Sequence, residues 1–307
     1  MTFRILPFLL LLALGLSGCQ AGLGRIDRSA QAAGLSRTVV QGLQYRHVVY
    51  ANREARWLAH GKPDQALGGG ASQQGQAGPP NRLVIFLDGD GRPWSADGQQ
   101  PSADPTTQNP LALKLLARTH APSIYISRPC YQQLKDPGCS PEIWTGGRYS
   151  ATVVDSIASA IGNTIYDAKQ PELVLVGYSG GGALAVLVAE RLPQVAAVVT
   201  IAADLDIDAW TRHHGYLPLT TSLNPAASDA RHPWLEIHLQ GTRDTIVPMK
   251  TTEAYFARHT QALRWPFQQY DHVCCWIDSW PESFAQVEAA LQDPTTATAP
   301  PAAGHVP

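Results

Sequence analysis

The stretch Leu173-Val174-Leu175-Val176-Gly177-Tyr178-Ser179-Gly180-Gly181 decides how the rest of this 307-residue chain is read. Four consecutive apolar residues predict a short strand buried on both faces. Residues 181–192, mostly apolar, predict a helix packed against it. Between the two lies a serine with glycine two places before it and two places after. A strand-to-helix turn this sharp holds its central residue in a strained conformation and lifts the hydroxyl above the sheet edge. The flanking glycines are required because a side chain at either position would collide across the bend.

The same alternation extends outward in both directions. Residues 83–87 form an unbroken apolar strand that ends in the turn Asp88-Gly89-Asp90-Gly91. Asn109-Pro110 predicts a helix start, with Asn109 as cap and Pro110 at the first helical position, running to about His120. Strands are expected at 43–50, 123–126, 196–201, 234–239 and 267–270, and helices at 146–168, 251–261 and 282–291. Strands buried on both faces and alternating with helices define an α/β architecture, a mostly parallel sheet covered on both sides with small cap insertions. Ligands of such sheets bind beyond the carboxyl ends of the strands, and every polar cluster discussed below falls there. Residues 68–80, with three consecutive glycines and several glutamines, read as a flexible surface loop.

The composition narrows the function classes. Hydrophobic residues make up 44% and charged residues 16% of the chain, and the formal net charge is −2, which gives no electrostatic reason to expect nucleic acid. There is no zinc-ligand spacing, no phosphate-cradling loop with a lysine and no internal repeat, so neither metal nor cofactor is expected. At the N-terminus, Arg4 precedes an almost unbroken apolar run over residues 5–16, followed by Ser17, Gly18 and Cys19. This is the layout of a signal peptide over residues 1–18, too short and too early for a spanning helix. Leu16-Ser17-Gly18-Cys19 also resembles the bacterial lipobox, in which the cysteine is acylated and becomes the mature N-terminus. Gln20, in place of aspartate, is similar to lipoproteins of the outer membrane. The expected organisation is therefore a lipid-anchored linker over residues 19–42, a folded domain over 43–292 and a Pro/Ala/Thr-rich disordered tail over 293–307. The expected setting is the bacterial cell envelope, on the outer membrane facing the periplasm, as a monomer.

In its strand–turn–helix setting, the Gly-x-Ser-x-Gly turn resembles that of the α/β-hydrolase superfamily, and the similarity spans roughly residues 43–292. Within it, Arg128-Pro129-Cys130, Trp144-Thr145, Arg148-Tyr149-Ser150 and Asp271-His272-Val273-Cys274-Cys275-Trp276 look like a group of bacterial hydrolase-like lipoproteins. The resemblance implies a nucleophile, an acid and a histidine in that chain order. A serine hydroxyl is a poor nucleophile until a base takes its proton and a third group orients the base. Of the ten histidines only His259, His272 and His305 follow the plausible acids. His259 falls within the predicted helix 251–261 and His305 in the tail, which leaves His272, just after the last expected strand. Gly241-Thr242-Arg243-Asp244-Thr245-Ile246-Val247-Pro248 resembles the superfamily's Gly-x-x-Asp-x-x-Val-Pro loop and offers Asp244 as the acid. Asp204, also at a strand end, is the alternative, whereas Asp206 and Asp208 read as helix-capping residues. For the oxyanion, the resemblance implies the backbone N–H groups of Gly180 and Asp90. Relatives usually carry His-Gly where this chain has Asp88-Gly89, and the Asp90 carboxylate would have to point away from the oxyanion.

Two insertions at the carboxyl edge of the sheet are candidates for specificity. Residues 128–146 carry Tyr131 and Trp144, and residues 204–233 carry Trp210, His213, His214, Tyr216 and Leu217. These aromatics serve either a small core of the insertions or a compact ester or amide substrate. A carboxylic-ester hydrolase is the leading expectation. A peptidase, amidase or thioesterase would use the same residues, and a non-catalytic envelope scaffold is the reading from another class. Besides Cys19, four cysteines remain, and an even number in an exported chain points to disulfides. Cys130 and Cys139 are the expected pair, with Pro129, Pro137 and Gly138 favouring a sharp return between them. Cys274 and Cys275 are then either bonded to each other or buried as free thiols.

Overall fold

The apolar runs pair into one eight-stranded sheet. The structure is a computed structural model that describes residues 24–55, 82–165, 171–229 and 231–293. The signal segment, Cys19, the glycine-rich loop 68–80 and the tail beyond Asp293 lie outside the described residues. In chain order the elements are α1 (Arg25–Ala32), β1 (Ser36–Gln41), β2 (Arg46–Ala51), β3 (Arg82–Leu87), α2 (Leu111–Leu116), β4 (Ser123–Ile126), α3 (Ala151–Thr164), β5 (Glu172–Tyr178), α4 (Gly180–Ala189), β6 (Val195–Ile201), α5 (Ile207–His214), β7 (Leu235–Gly241), α6 (Glu253–Arg258), β8 (Leu263–Phe267) and α7 (Trp276–Gln292). The strand order is β1-β2-β4-β3-β5-β6-β7-β8. Only β2 runs against the others, pairing antiparallel with both β1 and β4.

Alternation along each strand divides the interior into two cores. Leu83, Ile85 and Leu87 of β3 pack with Leu173 and Leu175 of β5 against α3 and α4. Val84 and Phe86 face the other way, with Val174 and Val176, against α2 and α7. Each fully buried side chain of this size contributes about 1.5–3 kcal/mol, so both layers hold the central strands rigidly where the site is built.

Several boundaries differ from the sequence expectation, each for a physical reason. The 43–50 strand is β2, and the sheet continues into residues assigned to the linker, where α1 and β1 lie. β1 is an edge strand with most residues exposed, so it carries no apolar alternation to read. The last strand is β8 at 263–267, not 267–270. An edge position tolerates the missing N–H of its Pro266. α7 starts at Trp276, well before 282, and contains Pro281. Burial of Trp276, Trp280, Phe284 and Val287 along one stripe outweighs the cost of a proline in a helix, about 3 kcal/mol. α2 begins at Leu111 with Pro110 as its cap residue, and the Asn109 side chain accepts from Lys114 Nζ and does not cap the helix.

Candidate active site

The turn between β5 and α4 puts Ser179 at φ 52° and ψ −127°. A non-glycine residue in that region costs on the order of 1–3 kcal/mol. It is held there because the Ser179 N–H donates to the Ile201 carbonyl at 2.9 Å and its own carbonyl accepts from Gly182 at 2.8 Å. A Cβ on Gly177 would come within 2.2 Å of the Gly181 carbonyl oxygen, and one on Gly181 within 2.2 Å of that of Leu87. Only glycine fits at either place.

The turns after β5, β7 and β8 bring three distant residues together. His272 Nε2 lies 3.1 Å from Ser179 Oγ. On the other side of the ring, His272 Nδ1 lies 2.9 Å from Asp244 Oδ2. Asp244 Oδ1 accepts from the N–H groups of Ile246 and Val247, each at 2.8 Å. The Asp244 side chain is 1% exposed and that of His272 13%, so the base faces solvent while its orienting carboxylate does not. The His272 loop is itself pinned. Asp271 Oδ1 accepts from Val273 and Cys274, and Trp276 Nε1 donates to the carbonyls of Asp271 and His272. Those two backbone bonds hold the Asp271 carboxyl below its usual range. Cys274 and Cys275 are bonded to each other in this loop.

Asp204, the alternative acid, makes no bond to His272. It is buried, and burial first, then the negative charge of Asp90, pushes its carboxyl well above the usual range. Asp206 caps α5, accepting from the N–H groups of Asp208 and Ala209.

The N–H groups of Gly180 and Asp90 have no protein partner among the described residues, as donors to an oxyanion require. The Asp90 carboxylate packs against Gly180, where a Cβ would meet Oδ1 at 2.0 Å. It is held by groups absent from the sequence-derived site. Oδ1 accepts from Arg128 Nη2 at 2.7 Å and Tyr149 Oη at 2.7 Å, and Oδ2 from Arg148 Nη1 at 2.6 Å and Tyr149 Oη at 2.9 Å. Tyr131 Oη adds a bond to the Asp90 carbonyl. Burial pushes the Asp90 carboxyl up, but Arg148 and Arg128 outweigh it and hold the group below its usual range. The sequence signals were the resemblance of the segments 128–130 and 148–150 and their position: Arg128 lies just after β4 and Arg148 just before α3, both at the carboxyl edge.

No protein-family model matches the chain, and no curated protein does. Solved structures do. An esterase of Pyrococcus furiosus, Pf2001, superposes with a TM-score of 0.55 at 11% identity over 85% of this chain and 90% of its own. The esterase domain of a Rhodothermus marinus protein gives 0.52 at 14% identity, over 84% and 98%. A membrane phospholipase A, described as a bacterial virulence factor, gives 0.50 at 15% identity, over 88% and 89%. The fold is that of the α/β-hydrolases.

On this α/β-hydrolase frame the two insertions behave differently. Cys130 and Cys139 are bonded, with Cα atoms 5.6 Å apart. Tyr131 and Trp144 are buried with Tyr45 and Cys130 in a small satellite core, so these aromatics support the insertion itself. In the second insertion Tyr216 is 56% and Leu217 84% exposed. A cavity of about 250 Å³ lined by His232, Trp234, Glu236 and His259 opens near the amino end of β7, at the sheet edge away from Ser179.

Proposed function

We propose that the protein is a serine hydrolase that cleaves carboxylic esters in the cell envelope through an acyl-enzyme on Ser179. The unbroken chain Ser179 Oγ–His272 Nε2, His272 Nδ1–Asp244 Oδ2 carries this reading. Oγ attacks the ester carbonyl carbon while Nε2 takes its proton, and the imidazolium that forms is stabilised by the Asp244 carboxylate. The carbonyl oxygen becomes an oxyanion met by the N–H groups of Gly180 and Asp90, each such donor being worth ~2.7–4 kcal/mol. Collapse expels the alkoxide, which leaves as the alcohol with the proton from Nε2. Water, deprotonated by the same nitrogen, then attacks the acyl ester; collapse releases the carboxylic acid and returns the proton to Oγ. Two of the superposed proteins are named esterases, which supports an ester substrate.

The envelope setting rests on residues 1–19, with Cys19 acylated and the domain on the outer membrane facing the periplasm. α1 and the start of β1 lie at the amino edge of the sheet, where Asp27 bonds Tyr50 and Arg37. An anchor on Cys19, five residues before Gly24, would hold the domain by that edge and leave the catalytic edge facing away from the bilayer. The test is reaction of the purified protein with a fluorophosphonate, peptide mapping of the adduct, and a screen of ester, thioester and amide chromogens. The expected outcome is a single adduct on Ser179 and turnover of esters. A folded protein that takes no label, or takes it on another serine, overturns the proposal.

A further inference from the structure

The acid loop is fastened to the second insertion through one peptide group. The Ile246 carbonyl oxygen accepts two bonds from α5, from Trp210 Nε1 at 2.8 Å and from His214 Nε2 at 2.8 Å. Positions four apart share one face of a helix, so a single carbonyl can receive both. A carbonyl oxygen has two lone pairs, and two donors from different directions fix the orientation of its plane. Because the carbonyl can only accept, His214 carries its proton on Nε2 here.

The other end of that same planar peptide is the Val247 N–H, which donates to Asp244 Oδ1 at 2.8 Å. The peptide therefore transmits orientation rigidly from α5 to the carboxylate. Hydrogen bonds received at a carbonyl also polarise its amide and strengthen the N–H as a donor. From there the chain continues through Asp244 Oδ2 and His272 to Ser179. α5 is itself firmly held. Ile207 and Thr211 are buried, and Asn224 bonds the capping Asp206 and the Ile207 N–H. Trp210 and His214 also contact each other and Tyr216 through their rings.

We infer that Trp210 and His214 are positioning residues that set the Asp244 carboxylate through the Ile246–Val247 peptide. The inference rests on Ser179 being the nucleophile, so the test reads the rate of its phosphonylation by a fluorophosphonate. Trp210→Phe keeps an aromatic ring on this face of α5 but removes the N–H together with the five-membered ring that carries it. His214→Leu removes the second donor, and His214→Gln returns one. Both bonds lie near the surface, where water competes, so the maximal inactivation rate should fall about threefold in Trp210→Phe and in His214→Leu, and about tenfold in the double variant. The half-saturating probe concentration should stay unchanged, and His214→Gln should recover most of the rate. Unchanged rates in both single variants overturn the inference. A change confined to the half-saturating concentration means the two side chains touch the ligand and overturns it as well, as does a His214→Gln protein as slow as His214→Leu. If wild type itself takes no label on Ser179, the serine-hydrolase reading falls; if wild type is labelled and the variants keep pace, only the positioning role falls.

Discussion

Replacing Asp90 with asparagine would remove one negative charge and leave Arg128 and Arg148, whose side chains are 5% and 7% exposed, with no carboxylate. Breaking a buried ion pair by removing one partner costs about 3–5 kcal/mol. Asp90 keeps 18% of its side chain exposed and asparagine preserves the size and one acceptor, so about 3 kcal/mol is expected. For a domain of this size each kcal/mol moves the melting temperature by about 2–4 °C, giving a fall of about 10 °C in Asp90→Asn. Activity should suffer separately. The carboxylate packs against Gly180, and with the Asp90 N–H as the proposed oxyanion donor a loosened turn should lower kcat by up to about 100-fold. The pH dependence has a definite sign. Asp90 is held below its usual range in the fold, so its contribution is full above the ordinary carboxylate value and is lost as pH falls through the lower folded value. The stability gap between wild type and Asp90→Asn should be constant from about pH 8 to pH 5 and close only in stronger acid. Thermal melts across that range, with kcat and KM on the best ester, measure all three effects. A variant melting within about 2 °C of wild type with unchanged kcat would refute the clamp.

The remaining predictions concern other parts of the molecule. Ser179→Ala should abolish turnover and fluorophosphonate labelling while keeping or slightly raising the melting temperature, since alanine leaves the core intact. Burial pushes the Asp88 carboxyl from 3.8 up to about 7. Its protonated form therefore stabilises the fold fully below the ordinary value, and that contribution is lost as pH rises through about 7. Urea unfolding should show wild type losing roughly 4 kcal/mol relative to Asp88→Asn between about pH 4 and pH 8, and parallel curves would contradict this. Removing the Cys130–Cys139 bond by a double serine substitution should cost about 2–3 kcal/mol, and non-reducing peptide maps that join either cysteine to Cys274 or Cys275 would exclude the pairing. Metabolic labelling with a fatty-acid analogue should mark wild type and leave Cys19→Ser blank.

What was legible in the sequence, and what was not, divides along the range of the interactions. The nucleophile turn could be read because Gly177 answers to a collision within five residues, whereas Gly181 answers to the end of β3, which only the assembled sheet brings close. The Asp244 loop and the His272 turn could be located because each follows a strand directly and the chain order restricts the candidates. β1, the bounds of β8 and the start of α7 differ from the expectation because edge exposure and stripe burial are properties of the assembled sheet. The Asp90 clamp draws on residues 90, 128, 148 and 149, which no periodicity links and which only the assembled fold brings together. The α5 contact is of the same kind: Trp210 and His214 looked like cap aromatics, and their partner is a backbone carbonyl that sequence does not distinguish from any other. The pattern is physically consistent. The groups that would react are marked by local backbone constraints, because a nucleophile and its base need special turns. The groups that orient them are ordinary side chains whose roles come only from what the fold places beside them.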